Sequence, residues 1–468
     1  MTVIKGAATE LGTERIRKLL VQYSVPAIIA MTASSLYNMV DSIFIGLGVG
    51  PMAISGLALT FPLMNLAAAF GSLVGVGAAT LISMRLGQKD YASAQYILGN
   101  VVVLNFIIGL GFGLVTLLFL DPILYFFGAS EATIGYARDY MSIILMGNVV
   151  THMYLGLNSV LRSAGHPRKS MYATINTVII NAVLDPLFIY GFGWGIRGAA
   201  IATILAQIIS LMWQFRLLSD RSELIHFRRG IYRLRGKIVR DILSIGMSPF
   251  LMNLTACFIV ILINKGLKTY GGDLMIGAYG IVNRLAFVFV MIVMGVNQGM
   301  QPIAGYNFGA QQYDRVLRVL RLTIICAVCI TTTGFLVGEF APHLAVSLFT
   351  TDEELIRLSV EGMRIVFICF PIIGFQMVAT NFFQSIGMAG KAIFMSLSRQ
   401  LLFLMPGLLF LPHFFEVSTP WDGSWGVWCA MPVSDLMATV VAFFMLTHQL
   451  RKFRAEHAAR SAENRPTL

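Results

Sequence analysis

The chain says nearly the same thing twice. A shift of 222 residues lays landmarks of the first half on landmarks of the second. Gly87 and Tyr91 fall on Gly309 and Tyr313, Phe127 and Glu131 on Phe349 and Glu353, and Ser163, Gly165 and Lys169 on Ser385, Gly387 and Lys391. Pro26 finds its counterpart one place off, at Pro249. Both halves are strongly apolar. Two copies of one membrane unit with a cavity between them is a plan shared by many secondary transporters.

Hydrophobic residues make up 57% of the chain and charged residues 12%, where a soluble domain carries about 25% charged. The mean hydropathy is +0.76. The apolar segments run to about 20 residues, the length of a membrane-crossing helix, and lack the two-residue alternation of a barrel strand. The expected class is therefore an all-α membrane protein. Its twelve transmembrane helices are read at residues 23–45, 56–80, 95–118, 139–161, 170–190, 198–216, 241–264, 276–300, 319–341, 361–383, 392–411 and 427–449.

Six spans per half is an even number. The halves are thus two six-helix lobes of parallel topology, related by a pseudo-two-fold axis along the membrane normal. The expected division is a segment 1–22, an N-lobe 23–217 with spans 1–6, a basic linker 218–240, a C-lobe 241–450 with spans 7–12 and a tail 451–468.

Lys and Arg set the orientation, because loops rich in them stay in the cytoplasm. Arg15, Arg17 and Lys18 precede span 1, Arg228, Arg229, Arg233, Arg235 and Lys237 stand in the linker, and Arg451 and Lys452 open the tail. Opposite loops are nearly bare of cations, and two are acidic (Asp121 and Glu131; Asp352 to Glu354). Both termini and the linker are expected in the cytoplasm, and the protein in a bacterial plasma (inner) membrane. The net charge of +11 is mostly this asymmetry, so no nucleic-acid partner is expected. The first apolar stretch is too long for a secretory signal. Cys326 and Cys329, inside a span, read as packing residues rather than a metal or redox pair.

Charged groups in mid-span cost about 2.5–3.5 kcal/mol on insertion scales and are functional candidates by default. The N-lobe has Asp41 in span 1 and Asp185 in span 5. Asn38 shares a helical face with Asp41, and Asn181 shares one with Asp185. Thr203 adds a hydroxyl in span 6. Protonated, such carboxyls are neutral hydrogen-bond donors; ionised, they are anions that Na⁺ or an organic cation can neutralise. The structural alternative is that each Asp braces a bent helix, as Pro186 beside Asp185 invites. Pro26 gives span 1 a hinge candidate or a static kink. The C-lobe carries Arg284, Arg399 and Asp435 instead, a candidate polar site in which Arg399 and Asp435 can pair across neighbouring spans. His152, alone on an apolar face, reads as a hydrogen-bonded packing residue.

These segments together resemble the multidrug and toxic compound extrusion (MATE) family, its DinF-like branch in particular, over residues 12 to 450. The resemblance is carried by Tyr37-Asn-Met-Val-Asp41-Ser-Ile-Phe-Ile-Gly46, Gly75-Val-Gly-Ala-Ala79, Arg85-Leu-Gly87, Arg162-Ser-Ala-Gly165, Asn181-Ala-Val-Leu-Asp185-Pro186 and Pro302-Ile-Ala-Gly-Tyr306-Asn307-Phe-Gly309-Ala310. It implies an exporter that exchanges a small organic compound, often cationic, for entering H⁺ or Na⁺. It also implies that Asp41, Asn181, Asp185 and Thr203 form the ion-coupling site and would hold Na⁺ if that ion couples. Pro26, Tyr37 and Asn38 support or gate it. The acidic residues that another branch carries in spans 7 and 10 have no obvious counterparts here.

The expectation is a cation-coupled multidrug antiporter working by alternating access, monomeric, with small organic substrates and the lipid bilayer as partners. No cofactor is expected beyond H⁺ or Na⁺, no structural metal and no enzymatic reaction. One rival is a lipid or lipid-linked oligosaccharide flippase, which wants a cavity rich in Arg and Lys. A second is an intramembrane aspartyl protease, which wants both aspartates in one site beside a Gly-rich loop. No phosphate-cradling loop supports ATP drive.

Overall fold

The computed structural model describes residues 9–418 and 422–463. Among these the chain is helical, with no strand. Ten helices are each long and apolar enough to cross a bilayer: Ile16–Gly48, Met52–Gly87, Tyr91–Leu118, Pro167–Gly191, Gly195–Leu218, Gly236–Gly272, Leu274–Gly309, Tyr313–Phe340, Ala389–Ser418 and Gly423–Phe453. Two bent pairs complete the twelve. Span 4 is Ile134–Met146 with Asn148–Ser163, bent by 56°, and span 10 is Glu353–Phe367 with Phe370–Ser385, bent by 53°.

The 222-residue repeat extends to the backbone. Left-handed φ occurs at Gly50 and Gly272, at Lys89 and Gln311, and at Gly165 and Gly387, each pair 222 apart. Gly50 and Gly272 sit where a span must reverse into its neighbour with almost no loop, a conformation that glycine adopts without steric cost. Spans 5 and 11 also each contain a π-helical segment, Leu187–Gly191 and Ser398–Leu404. Such wide turns often occur at functional sites.

Three buried clusters define the shape. The largest gathers the basic-end halves of every span but the fifth: Leu19 and Tyr23 of span 1, Ile82 of span 2, Ile242 of span 7 and Ile303 of span 8 belong to it together. At the opposite end there are two separate clusters. One lies wholly in the second half, around Phe367 and Trp428, the other wholly in the first, around Tyr140 and Leu145. The lobes are thus fused at the end carrying the basic linker and parted at the other.

Glycines make the fusion close. A methyl group added at Gly87 of span 2 would overlap the Tyr306 carbonyl of span 8, and one at Gly309 would overlap the Met84 carbonyl of span 2. Gly77 meets span 7 at Ile242 and Gly246, and its repeat mate Gly299 meets span 1 at Ser24. Backbones approach this closely only where no side chain intervenes. Span 1 remains one helix across Pro26, which lies buried in this fused end.

Candidate functional site

Asp41, Asn181, Asp185 and Thr203 converge inside the N-lobe and are 5%, 1%, 0% and 6% exposed. The helix period brings them there: Asn181 and Asp185 are one turn apart on span 5, and Thr203 faces them from span 6. Asn181 Nδ2 donates to Asp185 Oδ1 at 3.2 Å and to Thr203 Oγ1 at 3.4 Å. Tyr37, one turn before Asp41, shares a 2.9 Å hydrogen bond with Thr203 Oγ1. The Asp41 carboxyl lies beside Asp185 and the Tyr140 hydroxyl. Two ionised carboxylates side by side would repel strongly, so the pair is stable only when one carries a proton or a cation lies between them. One oxygen of each acid and the Asn181 carbonyl oxygen remain buried without a donor. Three unsatisfied acceptors in one pocket are an oxygen set that a proton-bearing group or a hard monovalent cation can fill.

The pocket continues down one face of span 5. Ser170, Thr174, Thr177, Asn181 and Asp185 follow at helical spacing towards the acid pair. Ser170 donates to Asn158 at 2.6 Å, Asn158 donates to Thr174 at 3.0 Å, and Thr177 donates to Ser210 at 2.7 Å. Tyr140 and Asn158 escaped sequence reasoning because a tyrosine or asparagine in a span carries no signal of its own. The run of hydroxyl and amide residues on span 5 is the pattern that could have revealed them.

The remaining candidates are placed differently. The Asn38 side chain lies outside the described residues. Pro26 stands fifteen residues before Asp41, about 22 Å along the helix, so it packs at the lobe junction and not at the acids. Arg399 Nε, on the π-helical segment of span 11, donates to Asp435 Oδ1 at 2.5 Å. Asp435 is 2% exposed. Arg284 is exposed on span 8 and takes no part in this pair, so the three C-lobe charges do not form one site. His152 is buried against Phe112, with ring centroids 6.5 Å apart, and neither ring nitrogen has a hydrogen-bond partner. It packs, as expected, but without the expected hydrogen bond. The five cysteines are free.

The sequence profile of the MatE family matches residues 26–187 and again 247–409. The second match repeats the first at the spacing of the internal duplication. The multidrug export protein MepA of Staphylococcus haemolyticus is 27% identical over 429 residues, covering 92% of this chain and 93% of that protein. MepA of Staphylococcus aureus is 26% identical over 442 residues, covering 93% and 94%. Among solved structures, a MATE protein in a bent conformation superposes with a TM-score of 0.90 at 23% identity, covering 97% of this chain and 99% of that one. The MATE multidrug transporter DinF-BH in complex with R6G superposes with a TM-score of 0.84 at 34% identity, covering 93% and 96%. With the family profile matched twice across most of its length, the chain belongs to the MATE family of multi-pass membrane transporters.

Proposed function

We propose that the protein is a multidrug exporter that exchanges small organic, often cationic, compounds for H⁺ or Na⁺. It works as a monomer in a bacterial inner membrane, with the basic linker and both termini in the cytoplasm. The observation that carries the coupling is the contact between Asp41 and Asp185 in a pocket closed to water. Charge there changes only when a proton or cation enters or leaves. Span 1 carries Asp41 in this pocket and Ser24 against span 8 at the lobe junction, so loading the acids bears on the contact that holds the lobes together.

The relatives named MepA, and the R6G complex of DinF-BH, support export of drug-like compounds. Arg399 is already neutralised by Asp435, which weakens the case for a phosphate-holding cavity in a flippase. Both aspartates sit on helices rather than beside a Gly-rich loop, which weakens the protease reading.

The deciding experiment is dye transport in proteoliposomes, with pH and sodium gradients imposed separately. One gradient should drive uptake in wild type and neither in Asp41→Asn. Unimpaired transport by Asp41→Asn at equal incorporation would refute the role of the acid pair. Movement of a labelled lipid in place of dye would favour the flippase.

A further inference from the structure

The basic end holds a cleft that the exchange of drug and ion does not use. Arg85, Ser93, Arg235, Lys237 and Asp241 line a cavity of about 270 Å³ whose walls include the apolar Leu81, Ile97 and Ile238. It continues along Lys237, Arg240, Asp241 and Ser244 into a space of about 610 Å³. From there it runs past Arg85 and Gln88 to Gly387 at the start of span 11. Four cations thus face one carboxylate, across the line where spans 2 and 3 of one lobe meet spans 7 and 11 of the other.

Arg235 is held in place by its neighbours. Asn100, fully buried in span 3, donates to the Arg233 carbonyl at 3.2 Å and accepts from the Arg235 backbone N–H at 3.1 Å. The Arg235 guanidinium lies 3.3 Å above the centre of the Tyr96 ring. The linker also packs on Gly99, where a side chain would overlap the Ile231 carbonyl. Arg85 is partly engaged, 3.7 Å from Asp90. Lys237 and Arg240 have no ion-pair partner among the described residues. The uncapped first turn of span 7, beginning at Gly236, adds backbone N–H donors to that charge.

We propose that this cleft binds the phosphate of an anionic phospholipid, with the headgroup on Arg235, Lys237 and Arg240 and the first carbons of an acyl chain against Ile238, the accessible part of the apolar wall. Basic pockets between spans on the cytoplasmic side suit such headgroups. The apolar wall distinguishes a lipid from a free phosphate, which has nothing to place there. Because the cleft is built from both lobes, the bound lipid favours the state in which the basic end is closed. It also neutralises a mouth that would otherwise repel cationic cargo. The site is independent of which ion couples transport.

The test is native mass spectrometry of the full-length protein with phosphatidylglycerol, with phosphatidylcholine of the same chains, and with inorganic phosphate in large excess. Phosphatidylglycerol should be retained preferentially and resist competition by phosphate. At roughly fivefold per cation, Arg235→Gln/Lys237→Gln/Arg240→Gln should weaken its binding roughly 100-fold. That variant should keep the wild-type melting profile in phosphatidylcholine. Asp241→Asn, which removes the single carboxylate, should tighten binding, and it decides the matter if the triple variant does not fold. Equal retention of both lipids, undiminished binding by the triple variant, or no gain in Asp241→Asn would overturn the proposal. Displacement by inorganic phosphate would reassign the cleft to a soluble anion.

Discussion

The glycine crossing at the fused end makes the most direct prediction. Gly87 and Gly309 face each other's helices, and a methyl carbon on either would lie 2.9 Å from a backbone carbonyl carbon and closer still to its oxygen. Ordinary van der Waals contact begins near 3.4 Å. The obstruction is backbone, which cannot rotate aside, so spans 2 and 8 must part by about an ångström or distort. Overpacking of this kind costs about 1–3 kcal/mol. The cost falls only on the state in which the basic end is closed. A state with the lobes parted at that end escapes it, so Gly87→Ala should shift the balance between them by roughly 5- to 150-fold. Adding Gly309→Ala should contribute less than a second equal step, because both methyls strain one crossing. The assay is pulsed electron spin resonance between labels at Ala132 and Thr351, exposed near the outer ends of the two lobes, in protein whose native cysteines are replaced. Wild type should show mainly the long distance, and Gly87→Ala a substantial shorter one. Gly111→Ala, at a glycine with open space around it, should match wild type. Unchanged distances in a folded Gly87→Ala protein, or a lowered melting temperature without a new distance, would refute the reasoning.

Other expectations follow from the same contacts. Tyr140→Phe should leave the fold intact and weaken coupling by removing the hydroxyl beside Asp41, at most the about 1.5–3 kcal/mol of a hydrogen bond to a charged group; ion-driven dye uptake at matched incorporation checks it. Thr177→Val should slow transport without lowering drug affinity if the polar face of span 5 carries ions or protons to the acid pair, read as separate changes in rate and binding. Asp435→Asn should destabilise by less than the about 3–5 kcal/mol of a fully buried pair, because a third of the Arg399 side chain stays exposed. Arg399→Met/Asp435→Leu should recover most of that loss in a thermal melt. A cysteine at Arg229 should react with an impermeant reagent in inside-out vesicles and not in right-side-out ones.

Much of the site was legible because buried charge is rare in an apolar chain. Asp41 and Asp185 announced themselves, and helical spacing tied Asn181 to Asp185. Tyr140 and Asn158 stayed hidden, since their role depends on which neighbours they face rather than on what they are. The C-lobe shows the same divide. Arg399 and Asp435 do touch, but Arg284, equally charged and equally inside a span, points elsewhere.

Taken alone, the chain determined its class and its doubling. Residues apolar over lengths near 20 can satisfy their backbone in lipid only as helices, and a duplicated sequence repeats its turns, down to the left-handed Gly50 and Gly272. What it left open was how the two copies meet. Lobes joined at one end and parted at the other bury nearly the same apolar residues as lobes joined the other way, because lipid and neighbouring helices are alike to a leucine. The tertiary structure decided that through backbone-to-backbone approach at Gly77, Gly87, Gly299 and Gly309, where the absence of a side chain leaves no hydrophobic signal. It also decided, through packing of spans 1 and 5, that two acids far apart in the chain share one pocket.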